Sequence, residues 1–412
     1  MASSLIPLLS AATTPLTCPP VVVTHSEQSG LLHALMVVED PRDPRGVRYP
    51  LSSLLAVAVC ATLAGATTFA AIADWLFDLD DDARIRLGFT RGVPVGTTVW
   101  RLLTRLDADL LAAVLARWLR TRLRPSTPAV QRRARRIVIA VDGKTMRAAR
   151  RADGTQVHLL SALDTSTGIV LAQVTVDAKS NEIPAFTPLL DALEQVLGSL
   201  AGLLFIADAL HTQTGHANDI ATRGAHLMIP VKGNQPTLFA QVKALPWAQI
   251  PVGDRTHDRG HGRRETRTVK AVTVNTPGGL GFAHAQQAVR ITRTRTVKAK
   301  TSRETAYLTV SLPAVDAQPV DLQAWARREW HIENKVHYVR DVTFREDLHQ
   351  ARTGNGPAVI ATLRNASIGY HRIHGETNIA RATRRANRRP HDLITAVTTK
   401  IQAVTSSDPT TQ

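Results

Sequence analysis

Three acids in this chain stand where carboxylates do chemistry. Asp142 ends the apolar run IVIAVDG, Asp208 ends LLFIAD, and Glu333 lies in the basic, aromatic-rich stretch DLQAWARREWHIENKVHYVRDVTFREDLHQ at 321–350. Side chains at the carboxyl ends of strands in an α/β sheet converge on one edge. Carboxylate oxygens select hard divalent ions such as Mg²⁺ or Mn²⁺ and leave coordination positions for water and phosphate. A pair of such ions serves phosphodiester cleavage, one activating the attacking oxygen and the other stabilising the leaving one. At 3.6 residues per turn, Trp330, Glu333, His337 and Arg340 fall on or near one helical face, so a carboxylate and a guanidinium address the same ligand.

Each acid also has a plainer reading. A strand-end Asp is often a turn or helix-cap residue, and Asp164 and Asp177 follow strands too. A Glu with an Arg seven residues on also marks a solvated helix face. Asp142 is distinguished by the following Gly143, which permits close backbone approach, and by Lys144, a cation beside the site. Asp208 is followed by ALHTQ, a helix opening with polar groups. His257 and His261 are four apart, but the GHG sequence around His261 is a poor helix and supplies no third ligand nearby, so zinc is set aside.

The composition supplies a substrate class. Lys and Arg number 50 against 34 Asp and Glu, a formal charge of +16, and such an excess points to a polyanion, nucleic acid before membrane. Only Cys18 and Cys60 are present, which excludes a disulfide framework and a Cys-rich zinc module and fits a reducing cytoplasm. The first 17 residues lack the basic start of a secretory signal. Leu51 to Ala73 is uncharged and long enough to span a bilayer, but its Ser, Thr and Gly residues read as two buried helices broken at AGATT.

Several elements must position these acids. Residues 1–34 read as a loosely ordered leader, and 35–130 as an all-α domain with helices from Ser52, from Thr68 to Leu79, and from Gly96 or Thr97. Arg101 and Arg105 lie four apart on an exposed face of the last, compatible with helix-turn-helix DNA binding or with a basic stripe on a helical bundle. QRRARR at 131–136 reads as a charged linker. From Ile137 come three strands at hairpin spacing, a helix over 184–197, the strand LLFIAD, a helix and the strand HLMIPV. That is the order of a ribonuclease-H-like α/β domain. Between about 246 and 312 three period-two segments carry Arg290, Arg293, Arg295, Lys298 and Lys300 outward, a β-rich insertion with a basic face for phosphate. Residues 376–412 read as a basic tail, with five arginines between Arg381 and Arg389.

Taken together, IAVDGKTMR, LLFIADALHTQ, HLMIPVKGNQP, HGRRETR, REWHIENKVHYVRDVTFRED and ARTGNGPAVIATLRN resemble the DDE transposases of bacterial insertion sequences, of the ISAs type. PRDPRGVRYPLSSLLAVAVCATLAGA and GVPVGTTVWRLLTRLD resemble the helical domain associated with that family. The resemblance covers about residues 35–375. It implies an α/β, ribonuclease-H-like catalytic domain over 137–375, with a β-rich insertion before the third acid and the all-α domain in front. It makes Asp142, Asp208 and Glu333 the catalytic and metal-binding triad for two Mg²⁺ or Mn²⁺ ions. It also implies double-stranded DNA as substrate, element ends and target alike, a homodimer in the DNA complex, and a nucleoid-associated place in the bacterial cytoplasm.

In the wider group the helix bearing the Glu carries a Tyr, an Arg and a Lys at set offsets. Here Glu329 stands four residues before Glu333, with Arg327 and Arg328 the nearest arginines, and Arg340 stands where Lys is expected. Arginine still binds phosphate, even bidentately. Arg340, Lys144 and, from the KGNQ run, Lys232, Asn234 and Gln235 are therefore the expected DNA or phosphate contacts, with Arg101 and Arg105 on the helical domain. A decayed transposase that only binds DNA, or a nuclease without strand transfer, is the alternative activity.

Overall fold

Strand β1 (Val138–Arg150) is the axis of the sheet. Its successive residues Val138, Ile139, Ala140 and Val141 are all buried, with Val138 and Ala140 on one face and Ile139 and Val141 on the other. A strand covered on both faces reads as an unbroken apolar run, as this one does. β2 (Gln156–Asp164) and β3 (Val170–Val176) extend the sheet antiparallel on one side, and β4 (Leu204–Ile206) and β5 (His226–Val231) extend it parallel on the other. That is the expected ribonuclease-H-like order. The computed structural model describes residues 30–123, 136–150, 153–260, 262–274, 279–298 and 300–399, so the QRRARR linker lies, but for Arg136, outside the described residues.

The insertion continues the same sheet. β6 (Asp254–Gly260), β7 (Arg263–Thr273), β8 (Gln287–Val297) and β9 (Lys300–Val310) form an antiparallel meander, and β9 pairs with β5, giving the order β3-β2-β1-β4-β5-β9-β8-β7-β6. Three of these strands were expected. β6, DRTHDRG, has no apolar alternation because it is an edge strand with mostly exposed residues.

On the N-terminal side, α1 (Leu31–Leu35) buries Leu31 and Leu35, so the expected leader gives way to packed structure before residue 34. It is followed by α2 (Leu51–Leu63), α3 (Phe69–Asp78), α4 (Asp81–Arg86), α5 (Gly96–Leu103) and α6 (Ala108–Thr121). The break at AGATT is as expected: Gly65 takes φ +100°, and the Thr68 hydroxyl caps α3 by accepting from Ala71 N at 3.0 Å. No helix among the described residues is long and apolar enough to cross a membrane.

These helices share a core with the sheet. Leu55, Leu111, Trp118, Leu160, Phe205 and Leu363 belong to one apolar cluster. Helices α7 (Phe186–Leu197), α8 (Thr214–Thr222), α9 (Pro236–Ala244) and α10 (Pro319–Ala326) follow the strands, and a helical segment over 330–342 comes after α10. α13 (Gly356–Ile373), buried along nearly its whole length, is wedged between α2, α6 and β3. The apolar face of α6 is turned into this core, and Trp100, Arg101 and Arg105, on or just after α5, are among the residues of the expected helix-turn-helix pair that remain exposed.

The segment expected as a basic tail is folded as far as residue 399. α14 (Ile379–Asn387) and α15 (Pro390–Thr398) pack on α2 and α4, burying Ile379, Leu393, Ile394 and Val397. Arg122 donates to the carbonyls of Ala396 and Val397 at 2.7 and 2.9 Å. The five arginines between Arg381 and Arg389 all remain exposed on the outer side.

Candidate active site

The β1–β4 pairing runs from Val138–Leu204 to Ala140–Ile206 and stops there. Asp142 and Asp208 each stand two residues beyond the last pair, so they leave adjacent parallel strands at the same level. Asp142 is not at its strand's end, as the sequence suggested. β1 continues through GKTMRAAR, paired with β2 alone, after the apolar signal stops at Val141. Asp208 follows its strand, which ends at Ile206, and caps the next turn, its Oδ1 accepting from Leu210 N at 2.9 Å.

The third acid arrives on a helix that is not uniform. α11 (Trp330–Ile332) passes into a π turn (Glu333–His337) and then α12 (Tyr338–Val342), with Tyr338 N–H reaching back to Glu333 O. A wider turn lags the α-helical phase by roughly a quarter turn over its length, and such turns recur at functional sites. The 3.6-residue face drawn through Trp330, Glu333, His337 and Arg340 is thereby broken. Glu333 and Trp330 look outward, His337 is buried, and Arg340 is fully buried.

One cleft is lined by Val141, Asp142, Asp208, Glu329, Trp330 and Glu333. Buried His337 lies against two of these acids: its Nδ1 is 3.2 Å from Glu333 Oε2 and 3.4 Å from Asp142 Oδ2. Burial disfavours the imidazolium, but hydrogen bonds to the two carboxylates outweigh it and raise the His337 pKa. The hydrogen bond from His337 lowers the Glu333 pKa in turn. Ligand atoms of Asp142, Glu333 and His337 all lie within 4.8 Å of one another. Asp208 lines the same cleft but lies outside that group. A donor set of carboxylate oxygens with one imidazole nitrogen suits a divalent cation.

Glu329 is the acid that sequence reasoning left unexplained. Burial raises its carboxyl, Lys232 pulls it back in part, and the charges of Asp208 and Asp142 add to the rise, leaving it at about 7. Its signal was its place one helical turn before Glu333.

The expected cationic contacts divide. Arg340 is withdrawn from the cleft: its Nε donates to both Glu346 oxygens at 2.9 Å, and Arg364 Nη1 holds Glu346 Oε2 at 2.9 Å, all three side chains having no exposed surface. Arg340 therefore does not share the cleft with Glu333 as the 3.6-residue spacing suggested, since the π turn rotates position 340 away from the Glu333 face. Asn234 and Gln235 use their amides on the turn after Asp208, donating to Ala209 O at 2.6 Å and Thr212 O at 2.7 Å. Lys232 remains exposed, near enough for its charge to act on Glu329. Lys144 pairs with Asp341 at 2.7 Å, and it borders a groove running from Glu333 and His337 past Arg147, Arg150 and Gln156.

Arg101 and Arg105 lie on the helical region, away from the acidic cleft, and Arg105 donates to Pro41 O at 2.7 Å. In the insertion, Arg293 pairs with Glu304 at 2.6 Å and Arg290 lies over the Trp247 ring at 5.3 Å. The tip is different. There Arg259, Arg263, Arg264 and Lys298 line one concave surface with no acidic side chain in its wall.

Comparison with known proteins agrees with this architecture. The family profile described as Transposase DDE domain matches residues 133–368, and the one described as DDE_Tnp_1-associated matches residues 32–119. The chain is 28% identical over 357 residues to "Putative transposase YncI" of Escherichia coli O157:H7, covering 83% of this chain and 87% of that protein. It is 27% identical over 360 residues to "H repeat-associated putative transposase YhhI" of Escherichia coli strain K12, covering 83% and 90% respectively.

Proposed function

From the premise that the chain belongs to the DDE transposase family, we propose that it cuts DNA at the ends of a mobile element and joins them to target DNA, with Asp142, Asp208 and Glu333 as the catalytic acids. One observation carries this reading: two acids at the same level on adjacent parallel strands, and a third on a helix across from them, line a single cleft. Asp142, Asp208 and Glu333 would hold Mg²⁺ or Mn²⁺, two ions in all. Bound there, divalent ions activate an attacking oxygen and stabilise a leaving one.

The protein's own residues account for the rest. Water attacks the phosphodiester at each element end and releases a 3′-hydroxyl. That hydroxyl attacks a target phosphodiester, and because one phosphodiester replaces another no energy source is needed. His337 Nδ1 lies within hydrogen-bonding reach of both Asp142 and Glu333 and so orients the two carboxylates. Lys232 and the groove past Lys144, Arg147 and Arg150 supply positive charge where the DNA backbone enters and leaves. Two ends must be paired for joining, so a dimer on DNA belongs to the same reading.

The test is Mg²⁺-dependent cleavage and joining of end-bearing DNA by the wild type and by Asp142→Ala. Both steps should vanish in the variant. Equal activity would sink the assignment, and cleavage without joining by the wild type would make the protein a nuclease.

A further inference from the structure

Asp142 and Asp208 stand beyond the last hydrogen-bonded pair between their strands, so the β ladder does not fix their separation. Something else must. Behind them a carboxylate, Glu182, sits on the connection between β3 and α7 with one oxygen committed to each side. His158 Nε2, on β2, donates to Glu182 Oε1 at 2.8 Å, while the other ring nitrogen of His158 meets Thr145 Oγ1 of β1 at 2.8 Å. His211 Nε2, in the turn that Asp208 caps, donates to Glu182 Oε2 at 3.2 Å.

The same carboxylate presses on the residue after Asp142. A Cβ at Gly143 would collide with Glu182 Oε1, with the Glu182 carboxyl carbon and with His158 Nε2. Gly143 takes no positive φ, so it is the lack of a side chain, and not backbone freedom, that this position uses. His211 is 1% exposed, its ring 5.1 Å from Phe186 and 5.4 Å from His216, so it cannot swing away to release the turn. Burial raises the Glu182 carboxyl, but hydrogen bonds and charge from His158 and His211 prevail and hold it at about 2, so the brace keeps its charge throughout the neutral range. From the far side, the amides of Asn234 and Gln235 hold the same turn.

We propose that Glu182 is a positioning residue which, through His158 and His211 and against the bare backbone of Gly143, sets the separation of Asp142 and Asp208. The inference rests on the reading of those two acids as metal ligands. A brace of this kind acts on metal affinity, because ligands held at the working distance need not be ordered when the ion binds.

The experiment is titration of the full-length protein with Mn²⁺, followed by electron paramagnetic resonance, for wild type, Asp142→Ala, Glu182→Gln and Gly143→Ala. Folding is checked by circular dichroism and chemical denaturation. Gln has the size of Glu, but its amide nitrogen meets one of the two Nε2–H donors, so one arm of the brace breaks. Glu182→Gln and Gly143→Ala should stay folded and each weaken Mn²⁺ binding about tenfold. Because they disturb one contact, the double variant should be no weaker than the worse single one.

Loss of binding in Asp142→Ala with wild-type affinity in a folded Glu182→Gln would overturn the brace and leave the metal reading standing. Undiminished binding in Asp142→Ala would overturn both. Should Glu182→Gln fail to fold, His158→Gln, at a partly exposed side chain, breaks the β2 arm alone. A several-fold loss of affinity then supports the brace, and wild-type affinity overturns it.

Discussion

Arg340 and Glu346 meet in a fully buried ion pair, Nη2 to Oε1 at 2.7 Å, which Arg364 completes from α13. Arg364 also donates to Thr67 O at 2.9 Å, so the cluster ties the segment carrying Glu333 to the break between α2 and α3. Removing one member strands the buried charge of the others, so Arg340→Ala should lose about 3–5 kcal/mol in chemical denaturation. The salt dependence of DNA binding should not change. A stable Arg340→Ala protein with a shallower salt slope would return this arginine to the phosphate-binding set.

Glu346 gives this cluster an acid limb. Burial raises its carboxyl, yet Arg340 and Arg364 dominate and hold it at about 2. A depressed folded pKa stabilises above the ordinary carboxyl range, and that stability is lost as pH falls toward the folded value. Denaturation midpoints should therefore drop between about pH 4.5 and pH 2 in the wild type. They should drop less steeply in a refolded Glu346→Gln protein, which is already destabilised at neutral pH.

His337 predicts the opposite sign. Its pKa is raised by Asp142 and Glu333, so its contribution is complete below the ordinary histidine range and fades as pH rises through the folded value. Metal-free protein should lose stability on that rise, while Mn²⁺ affinity should increase because the two carboxylates are released from the imidazolium. In His337→Gln both slopes should flatten. A wild-type affinity that does not change as pH rises through and above the ordinary histidine range would contradict this.

Glu329 is an acid whose carboxyl stands at about 7 in the folded protein against 4.5 ordinarily. The native state therefore loses stability as pH climbs from 4.5 to 7, by the same linkage. Metal-free Glu329→Gln should be more stable than wild type at pH 8, by roughly 1–3 kcal/mol, and equal to it near pH 4. Thermal denaturation at the two pH values decides this, and a less stable variant at pH 8 would refute it.

At the tip of the insertion, Arg263 and Arg264 line the concave basic surface and are exposed. Replacing both with Ala should leave folding intact, weaken DNA binding without regard to sequence, and reduce the magnitude of the salt slope by about 2. An unchanged slope would mark the tip as a solvated surface.

Much of this protein was legible before folding was considered. The apolar runs ending at Val141 and Ala207 specify strands buried on both faces, because an unbroken apolar run leaves no polar face for solvent. The order of those runs gave the ribonuclease-H-like core, and AGATT gave the break between α2 and α3. What the sequence could not carry is phase and partnership. A π turn leaves no composition signal, yet it shifts the phase of the helix on which Arg340 enters the core and meets Glu346. β6 lacks alternation because neither of its faces is well covered, and the arginine-rich C-terminal segment hides two helices because their apolar residues are few and meet α2 and α4 only in three dimensions. The acids Asp142, Asp208 and Glu333 were named from their residue types and surroundings. That they line one cleft, with His337 against two of them and Glu182 behind, was decided by strand register and by side chains far apart in the chain.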